Sequence, residues 1–512
     1  MSQQIKTFGS VLSAILILTF PSCKDEIIEA TGNNNNLSFE SSIVDWQHAI
    51  IRSSPYYAAV DGDHYAISES GATETTKTTA FIITEGKTYT LKLWSRSIYT
   101  DNHTQQLSVG NLVDVNVAKA VASVRLYTEE GTIIETATQV SPRGLTGDAA
   151  TQSNDDGANV WVDQDYRMQV TNAIFYQASS ADPILDNWTY QGLISPDYDG
   201  LGPAPYMGSN TLNILYACDY TEGTSPIASS LDFITTSGSA PNFVFNWSSR
   251  EVFLSHEGDE TPWVIDPQPF YDLSTGRLWI VWGGHTIWIS ELDPNTGKLI
   301  GNPTDIEFDT HVAGTHTQIM SFASSDQGGD ANTPNNWADE GDGWSYGYME
   351  GACVYQHEEY YYALGSYGNL GNNYTIRMGR SDNPKGPYLD KNGKQLTIYY
   401  KDLGSYGGSF LLGNDANHLV PGHPHIWEED GQAYLGYDYR TDISDPTVEF
   451  DLMGIRKLYW VNDWPTIWTP ITLSFKADDF PELIGQSLKI GFSNSGDNGS
   501  VVAFDHFSIQ KQ

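Results

Sequence analysis

The sequence predicts an all-β protein in which a five-bladed β-propeller is inserted into a β-sandwich formed by the two ends of the chain. Three observations carry this prediction. Helical periodicity is nearly absent, while alternating apolar and polar residues separated by Gly, Asn and Asp turns occur throughout. The middle of the chain repeats loosely about every 50–70 residues, roughly one four-stranded sheet each. The first and last regions share well-spaced strand patterns that the middle lacks.

The chain begins with the pattern of a signal peptide over residues 1–22. Its apolar run, 11–20, is too short to span a bilayer as a permanent helix. It ends at Phe20-Pro21-Ser22-Cys23, which resembles a bacterial lipoprotein cleavage box with Cys23 as the acylated residue; a chance Cys after an ordinary signal peptide is the alternative. Lys24-Asp25-Glu26 resembles the acidic export tag of surface lipoproteins in the Bacteroidetes type of cell envelope. We therefore expect a protein held at the outer membrane by lipid alone, with residues 23–36 as a solvated tether.

The sandwich is predicted from residues 37–145 and 469–512, which flank the propeller region 146–468. Strand patterns such as Thr88–Trp94 and Ser487–Phe492 occur in both flanks. The last part offers about three or four strands, too few for an independent sandwich, so we expect it to complete sheets begun by the first part. Two separate small modules are the alternative.

Charge narrows the classes of partner. The 512 residues include 26 Lys and Arg against 64 Asp and Glu, a formal net charge of −38. Such a surface repels nucleic acid and anionic membranes, and it favours a neutral substrate over a polyanionic one. Aromatic residues make up 12% of the chain, which suits well-packed strands and surfaces that stack on a ring-shaped ligand. We expect a monomer that binds no nucleic acid.

The two remaining cysteines, Cys218 and Cys353, lie in apolar strand-like runs. Buried free thiols are therefore favoured over a disulfide, although two Cys in an exported chain could pair. Two thiols alone cannot form a metal site.

Two acidic residues of the propeller region stand out. Asp266 lies between Ile265 and Pro267 at the start of an apolar strand pair, where a buried carboxylate is costly without a strong partner or a chemical role; a turn-capping Asp is the alternative. Glu350 lies in a stretch of small and apolar residues, where desolvation favours the protonated form that a general acid needs. An exposed Glu at a strand start is the alternative there.

A histidine is the third candidate. His423 lies in a turn bounded by Gly422 and Pro424, which would hold an imidazole rigidly. A structural His with satisfied hydrogen bonds is the more common outcome for such a residue taken alone.

These residues lie within ordered blocks that resemble glycoside hydrolase family 43, the five-bladed propeller enzymes that include arabinanases and β-xylosidases. The resemblance covers about residues 150–468, and each block is weak alone while their order is specific. The blocks are Asp186–Gly192, Trp263–Gly297, Glu350–Asp390 and Pro421–Leu435.

The resemblance implies catalytic roles. Glu350 would be the general acid, and Asp266 would stay ionised, orienting that acid and modulating its pKa. The general base would lie at the start of blade one, where Asp156 aligns best and Asp155 is a rival, because Gly157 replaces the Pro of the family pattern. The family inverts configuration, so base and acid should stand roughly 6.5–9.5 Å apart to admit a water molecule.

Further features follow from the same resemblance. His423 would lie near the channel axis beside a calcium ion bound mostly through water. The flanking sandwich resembles jelly-roll carbohydrate-binding modules. Three tryptophans are candidates for stacking on sugars, with core packing as the alternative: Trp282, Trp288 and Trp344.

The implied function is a surface-anchored, inverting glycoside hydrolase acting on a plant or algal polysaccharide or its oligosaccharides, most directly on α-L-arabinofuranosyl linkages. Two alternatives remain open. One is a β-xylosidase or galactan-active member of the same family. The other is a non-catalytic glycan-capture lipoprotein on a propeller scaffold, which the altered segment with Gly157 favours.

Overall fold

The fold is taken from a computed structural model of the chain. Within residues 148–257 it describes the strand backbones and the side chains of Tyr216 and Leu254. The described residues are 26–28, 46–52, 59–60, 64–98, 121–140, 148–153, 158–163, 166–171, 174–179, 189–193, 201–207, 213–220, 228–236, 251–257, 264–300, 316–321, 348–368, 374–400, 405–413, 419–440, 451–496 and 501–512.

Strands form nearly all the regular structure of these residues, which confirms the all-β prediction. The N-terminal strands are β1 (Glu26–Ile28), β2 (Ile50–Arg52), β3 (Tyr65–Glu69), β4 (Thr75–Ile82), β5 (Thr88–Ile98), β6 (Val121–Tyr127) and β7 (Ile133–Val140). The next are β8 (Asp148–Ser153), β9 (Ala158–Asp163), β10 (Tyr166–Thr171), β11 (Ile174–Ser179), β12 (Thr189–Leu193), β13 (Leu201–Met207), β14 (Asn213–Tyr220), β15 (Ala228–Thr236) and β16 (Glu251–Glu257).

The second half of the chain continues in the same way. Its repeat-region strands are β17 (Gln268–Asp272), β18 (Arg277–Trp282), β19 (Thr286–Leu292), β20 (His316–Ser321), β21 (Tyr348–His357), β22 (Tyr360–Gly368), β23 (Thr375–Ser381), β24 (Tyr399–Tyr400), β25 (Ser405–Tyr406), β26 (Ser409–Leu412), β27 (Leu419–Glu429), β28 (Gln432–Arg440), β29 (Asp451–Val461) and β30 (Trp464–Thr466). The last strands are β31 (Thr469–Lys476), β32 (Ser487–Asn494) and β33 (Val501–Lys511). In the described part of the chain, no helix has the length and apolar character needed to cross a membrane.

The two ends of the chain share two antiparallel sheets. One has the order β2-β3-β33-β5-β31, and the other has the order β4-β32-β6-β7. Because β33 lies between β3 and β5, and β32 between β4 and β6, neither sheet is complete without the last part of the chain. The split sandwich is therefore the observed arrangement, and the alternative of two separate modules is wrong.

Alternation along the late strands forms the sandwich core. In β31, Ile471, Leu473 and Phe475 are buried, while the residues that follow each of them are exposed. Trp46 packs its ring 5.3 Å from Phe492, between the sheets. Each such buried side chain contributes ~1.5–3 kcal/mol relative to an exposed one, which holds chain ends from opposite sides of the repeat region together.

The predicted tether is partly wrong. Residues 26–28 form β1, which pairs antiparallel with β33, Glu26 opposite Lys511 and Ile28 opposite Ile509. The physical reason is that β3 pairs with β33 only as far as Phe504, so later residues of β33 can pair with another strand on that edge. Ile27 and Ile28 are β-branched residues that suit a strand.

The described residues of the repeat region form five blade-like sheets. Their orders are β12-β11-β10-β9, β13-β14-β15-β16, β17-β18-β19-β20, β21-β22-β23-β26 and β27-β28-β29-β30, with β8 also paired to β29. The first strands of successive sheets contact one another: β9 with β13, β13 with β17, β17 with β21, β21 with β27, and β27 with β9. This is the order of contacts expected of a five-bladed propeller. It places residues of distant repeats on inner strands that lie beside one another.

An aromatic cluster joins the last blade-like sheet to the sandwich. Trp94 of β5 lies 5.5 Å from Tyr459 of β29, ring to ring, and Tyr65 of β3 lies 5.7 Å from Trp468. All four rings pack in one cluster. The predicted boundaries near residues 146 and 469 fall between strands of the two units.

Candidate active site

Asp266 is a buried carboxylate held just before β17. It is 3% exposed, and its backbone has a φ of +52°, a conformation that Asp tolerates better than most residues. The carbonyl of the preceding Ile265 accepts the N–H of Gly283 at 2.9 Å. Oδ2 of Asp266 accepts the backbone N–H of Gly351 at 2.8 Å. Burial raises the pKa of Asp266 to about 6, against the opposing effect of this hydrogen bond, so the carboxylate is mainly ionised at neutral pH.

Glu350 stands beside that contact, near the start of β21. Its side chain is half-buried, and Oε1 accepts the hydroxyl proton of Tyr374 at 2.7 Å. The pairing of β21 with β22 shifts register after Glu350, and Gly351 has a φ of +54°. A bulge of this kind re-aims the neighbouring side chain. The Glu350–Gly351 peptide therefore links the two carboxyl groups. Its N–H donates to Asp266, and Glu350 is the residue on its carbonyl side.

His423 of β27 packs against the same glycine. A Cβ added to Gly351 would lie 2.8 Å from His423 Cα and 3.1 Å from its Nδ1, and the positive φ already favours glycine there. The backbone N–H of His423 donates to Ser366 Oγ at 2.7 Å. The structure thus brings Asp266, Glu350 and His423 together around one glycine, as strands β17, β21 and β27 contact in sequence.

The imidazole of His423 is neutral. Burial lowers its pKa to about 4, and Nε2 is buried with no hydrogen-bond partner among the described residues. A neutral imidazole nitrogen of this kind fits a single water molecule or one ligand position of a metal ion. The described residues contain no group of three or more His, Cys, Asp or Glu that could hold a metal. A calcium ion here would take its remaining ligands from water, and its presence stays a prediction.

Two of the sugar-stacking predictions are wrong. Trp282 is fully buried, donates its indole N–H to Ser290 Oγ at 2.9 Å, and stacks 6.1 Å from Trp288. Trp288 is 3% exposed and donates to Thr286 Oγ1. Both indoles are covered by the core, so neither offers a face to a sugar.

Other predicted residues lie outside the described part of the chain. These are Cys23, Asp155, Asp156 and Trp344. Of the remaining cysteines, Cys353 is a buried free thiol whose pKa is raised by burial, as expected for a structural residue.

Tyr374 and Ser366 are site residues that sequence reasoning missed. Tyr374 lies within a block that supported the family resemblance, but a chain with 30 Tyr gives no local signal for one that reaches a carboxylate. Ser366 lies in β22 and contacts the site only because β27 crosses beside it. The available signal was the position of Tyr374, just before β23, the strand that follows the β21–β22 hairpin carrying Glu350.

Together, the fold and the site define a class: an all-β repeat protein in which the inner strands of successive sheets bring carboxylates and an imidazole to one point. Residues 246–465 match the family model described as glycosyl hydrolases family 43. This part of the chain, less than half of its length, is similar to that family.

The chain is also similar, over part of its length, to two proteins named as arabinan-degrading enzymes. The chain is 28% identical over 226 residues to a probable arabinan endo-1,5-alpha-L-arabinosidase B of Aspergillus flavus, covering 41% of this chain and 58% of that protein. It is 30% identical over 167 residues to an extracellular endo-alpha-(1->5)-L-arabinanase of Thermotoga petrophila, covering 31% of this chain and 28% of that protein. The chain thus spans less than two thirds of the length of these relatives.

A solved structure is also similar. The alpha-L-arabinanase of Cellvibrio cellulosa in complex with arabinohexaose has a TM-score of 0.47 and 18% identity, covering 66% of this chain and 99% of that one.

Proposed function

We propose that the chain is a glycoside hydrolase that cleaves α-L-arabinofuranosyl linkages of an arabinan-type polysaccharide with inversion of configuration. One observation carries this proposal: the backbone N–H of Gly351 donates to the buried carboxylate of Asp266, and Glu350 directly precedes Gly351 in the chain. Both carboxyl groups lie inside the region that matches the family model. The names of the relatives, arabinan endo-1,5-alpha-L-arabinosidase and endo-arabinanase, support the choice of sugar.

Burial divides the roles of the two carboxylates. Asp266 is 3% exposed, so it is poorly placed to touch a glycosidic oxygen, whereas half-buried Glu350 can reach one. Glu350 therefore protonates the leaving oxygen as the glycosidic bond breaks. Asp266, mainly ionised at neutral pH, disfavours a second negative charge beside it and keeps the proton on Glu350 until it is needed.

On the opposite face of the sugar, the same displacement requires a general base. Asp156, or Asp155, takes a proton from a water molecule that attacks the anomeric carbon from the face opposite the leaving group. The water supplies the new hydroxyl, the leaving sugar keeps the proton from Glu350, and the two carboxyl groups end with exchanged protonation states. Bulk water then restores them for the next turnover.

Incubation with a panel of polysaccharides tests the proposal. We expect arabinan to be hydrolysed, and xylan and galactan to be left intact or cut far more slowly. Proton NMR at early times should show the anomer opposite to that of the substrate linkage. Turnover confined to xylan or galactan would move the assignment within the family. Saturable binding of arabinan without any product would favour glycan capture, the alternative suggested by Gly157.

The proposal includes export and lipid anchoring through Cys23. The relative from Thermotoga petrophila is named extracellular, and the motif at Phe20–Cys23 supplies the acylation residue. Replacing Cys23 by Ser should move the protein from the detergent phase of a Triton X-114 partition to the aqueous phase, with its activity on arabinan unchanged. Equal partitioning of both proteins would show that Cys23 carries no lipid.

A further inference from the structure

We propose that Tyr374 is a positioning residue that fixes Glu350 so that its catalytic proton is carried on Oε2. This inference rests on the proposed role of Glu350 as the general acid. It deepens that role by assigning the orientation of the acid to the hydroxyl of Tyr374, which donates to it.

Two hydrogen bonds and one electrostatic contact connect four residues of the site. The backbone N–H of His423 donates to Ser366 Oγ at 2.7 Å. The Ser366 hydroxyl acts on the neighbouring Tyr374 hydroxyl as a donor, which opposes the rise in the pKa of Tyr374. The Tyr374 hydroxyl donates to Glu350 Oε1 at 2.7 Å. Strands β21, β22 and β27 and the residue just before β23 each contribute one member.

The direction of both hydrogen bonds follows from the groups at their ends. A backbone N–H can only donate, so Ser366 Oγ must accept from His423. A carboxylate oxygen can only accept, so the proton between the Tyr374 hydroxyl and Glu350 Oε1 belongs to the tyrosine. Tyr374 therefore donates to Oε1 of Glu350. With Oε1 occupied as an acceptor, the proton of the acid form belongs on Oε2.

The ring of Tyr374 is held rigidly enough for this task. It is 3% exposed and packs with Leu419 and Val420. A Cβ added to Gly422 would lie 2.2 Å from its ring, so the absence of a side chain there admits the tyrosine. Orienting a reacting group by contacts of this kind is worth up to about 10²-fold in rate for a displacement of ~1 Å.

The hydroxyl of Tyr374 also keeps its proton under all working conditions. Burial raises its pKa well above the ordinary value, and the negative charges of Glu350 and Asp266 add to this effect. The residue is therefore a permanent donor and does not itself exchange protons with substrate.

Dependence on the leaving group tests the proposal. A general acid matters for a sugar leaving group and not for dinitrophenolate, which departs without protonation. For Tyr374→Phe we expect kcat on arabino-oligosaccharides to fall by about 10- to 100-fold, while kcat on 2,4-dinitrophenyl arabinofuranosides changes by less than ~3-fold. Ser366→Ala should show the same selectivity with a smaller loss, because it removes the support of Tyr374 and leaves its hydroxyl in place.

Tyr388→Phe is the matched control. Tyr388 is an equally buried tyrosine whose hydroxyl donates to the carbonyl of Pro384 at 2.9 Å, away from Glu350. It should show no leaving-group selectivity. Equal losses of Tyr374→Phe on both substrate types, or no loss on either, would overturn the positioning role. Wild-type protein that hydrolyses neither substrate would instead overturn the proposed function.

Discussion

Glu350→Gln is expected to lower kcat on arabinan by about 10²- to 10⁴-fold while leaving the affinity for the polysaccharide within about threefold. The amide has nearly the shape of the carboxyl group and keeps an oxygen to accept the Tyr374 hydroxyl, so the local structure should persist. It has no acidic proton to give to the leaving oxygen. The measurements are initial rates on arabino-oligosaccharides and calorimetric binding of arabinan.

The activity loss should be selective. With a 2,4-dinitrophenyl leaving group, Glu350→Gln should recover most of the wild-type rate, because no proton is needed at the departing oxygen. Glu428→Gln is the matched control. Glu428 is an exposed glutamate that also accepts a tyrosine hydroxyl, that of Tyr355 at 3.2 Å, and its loss should leave kcat unchanged. A Glu350→Gln enzyme that turns over arabinan at more than a tenth of the wild-type rate would assign the acid role to another residue.

Much of the fold could be predicted from the sequence because its signals are local. Alternation in strands such as β31 reports one buried face without any knowledge of the partner strand. The split sandwich was predictable because the last three strands could not form a sandwich alone. The pairing of β1 with β33 was not predictable, because it depends on a free position beside a strand at the opposite end of the chain.

The site was predictable in part for a similar reason. Asp266 and Glu350 are single carboxylates in apolar stretches, which is unusual within a few residues of sequence. Tyr374 and Ser366 carry no such local signal, since their role depends on which strands cross. For Trp282, an aromatic residue in a strand is compatible with core packing and with sugar stacking, and only its neighbours decide which occurs.

Asp266→Asn is expected to change the pH dependence of stability as well as activity. The pKa of Asp266 is raised from 3.8 to about 6 by burial, which corresponds to a destabilisation of ~3 kcal/mol once the folded protein is ionised. Between these two values the folded protein binds more protons than the unfolded chain, so stability falls as pH rises. Below the lower value both states are protonated and the penalty vanishes.

The asparagine variant cannot ionise, so it lacks this pH-dependent penalty. Its amide can still accept the Gly351 N–H, and any cost of its buried NH₂ group is independent of pH. The free energy of unfolding of Asp266→Asn minus that of the wild type should therefore rise by ~3 kcal/mol from pH 3.5 to pH 7. The same substitution should lower kcat at neutral pH about 10- to 100-fold, because the proposed mechanism uses the charge of Asp266 to keep the proton on Glu350.

Asp272→Asn gives the matched contrast. Burial alone would raise the pKa of Asp272, but hydrogen bonds from Ser274, Thr275 and Tyr361 outweigh it and hold the pKa below its ordinary value. This carboxylate therefore stabilises the fold above the unfolded pKa, and its contribution is lost as pH falls through the lowered folded pKa. Its asparagine variant should lose stability most at neutral pH, the opposite sign to Asp266→Asn. Urea unfolding at a series of pH values measures both, and parallel pH profiles for the wild type and Asp266→Asn would contradict the buried, ionised state assigned to Asp266.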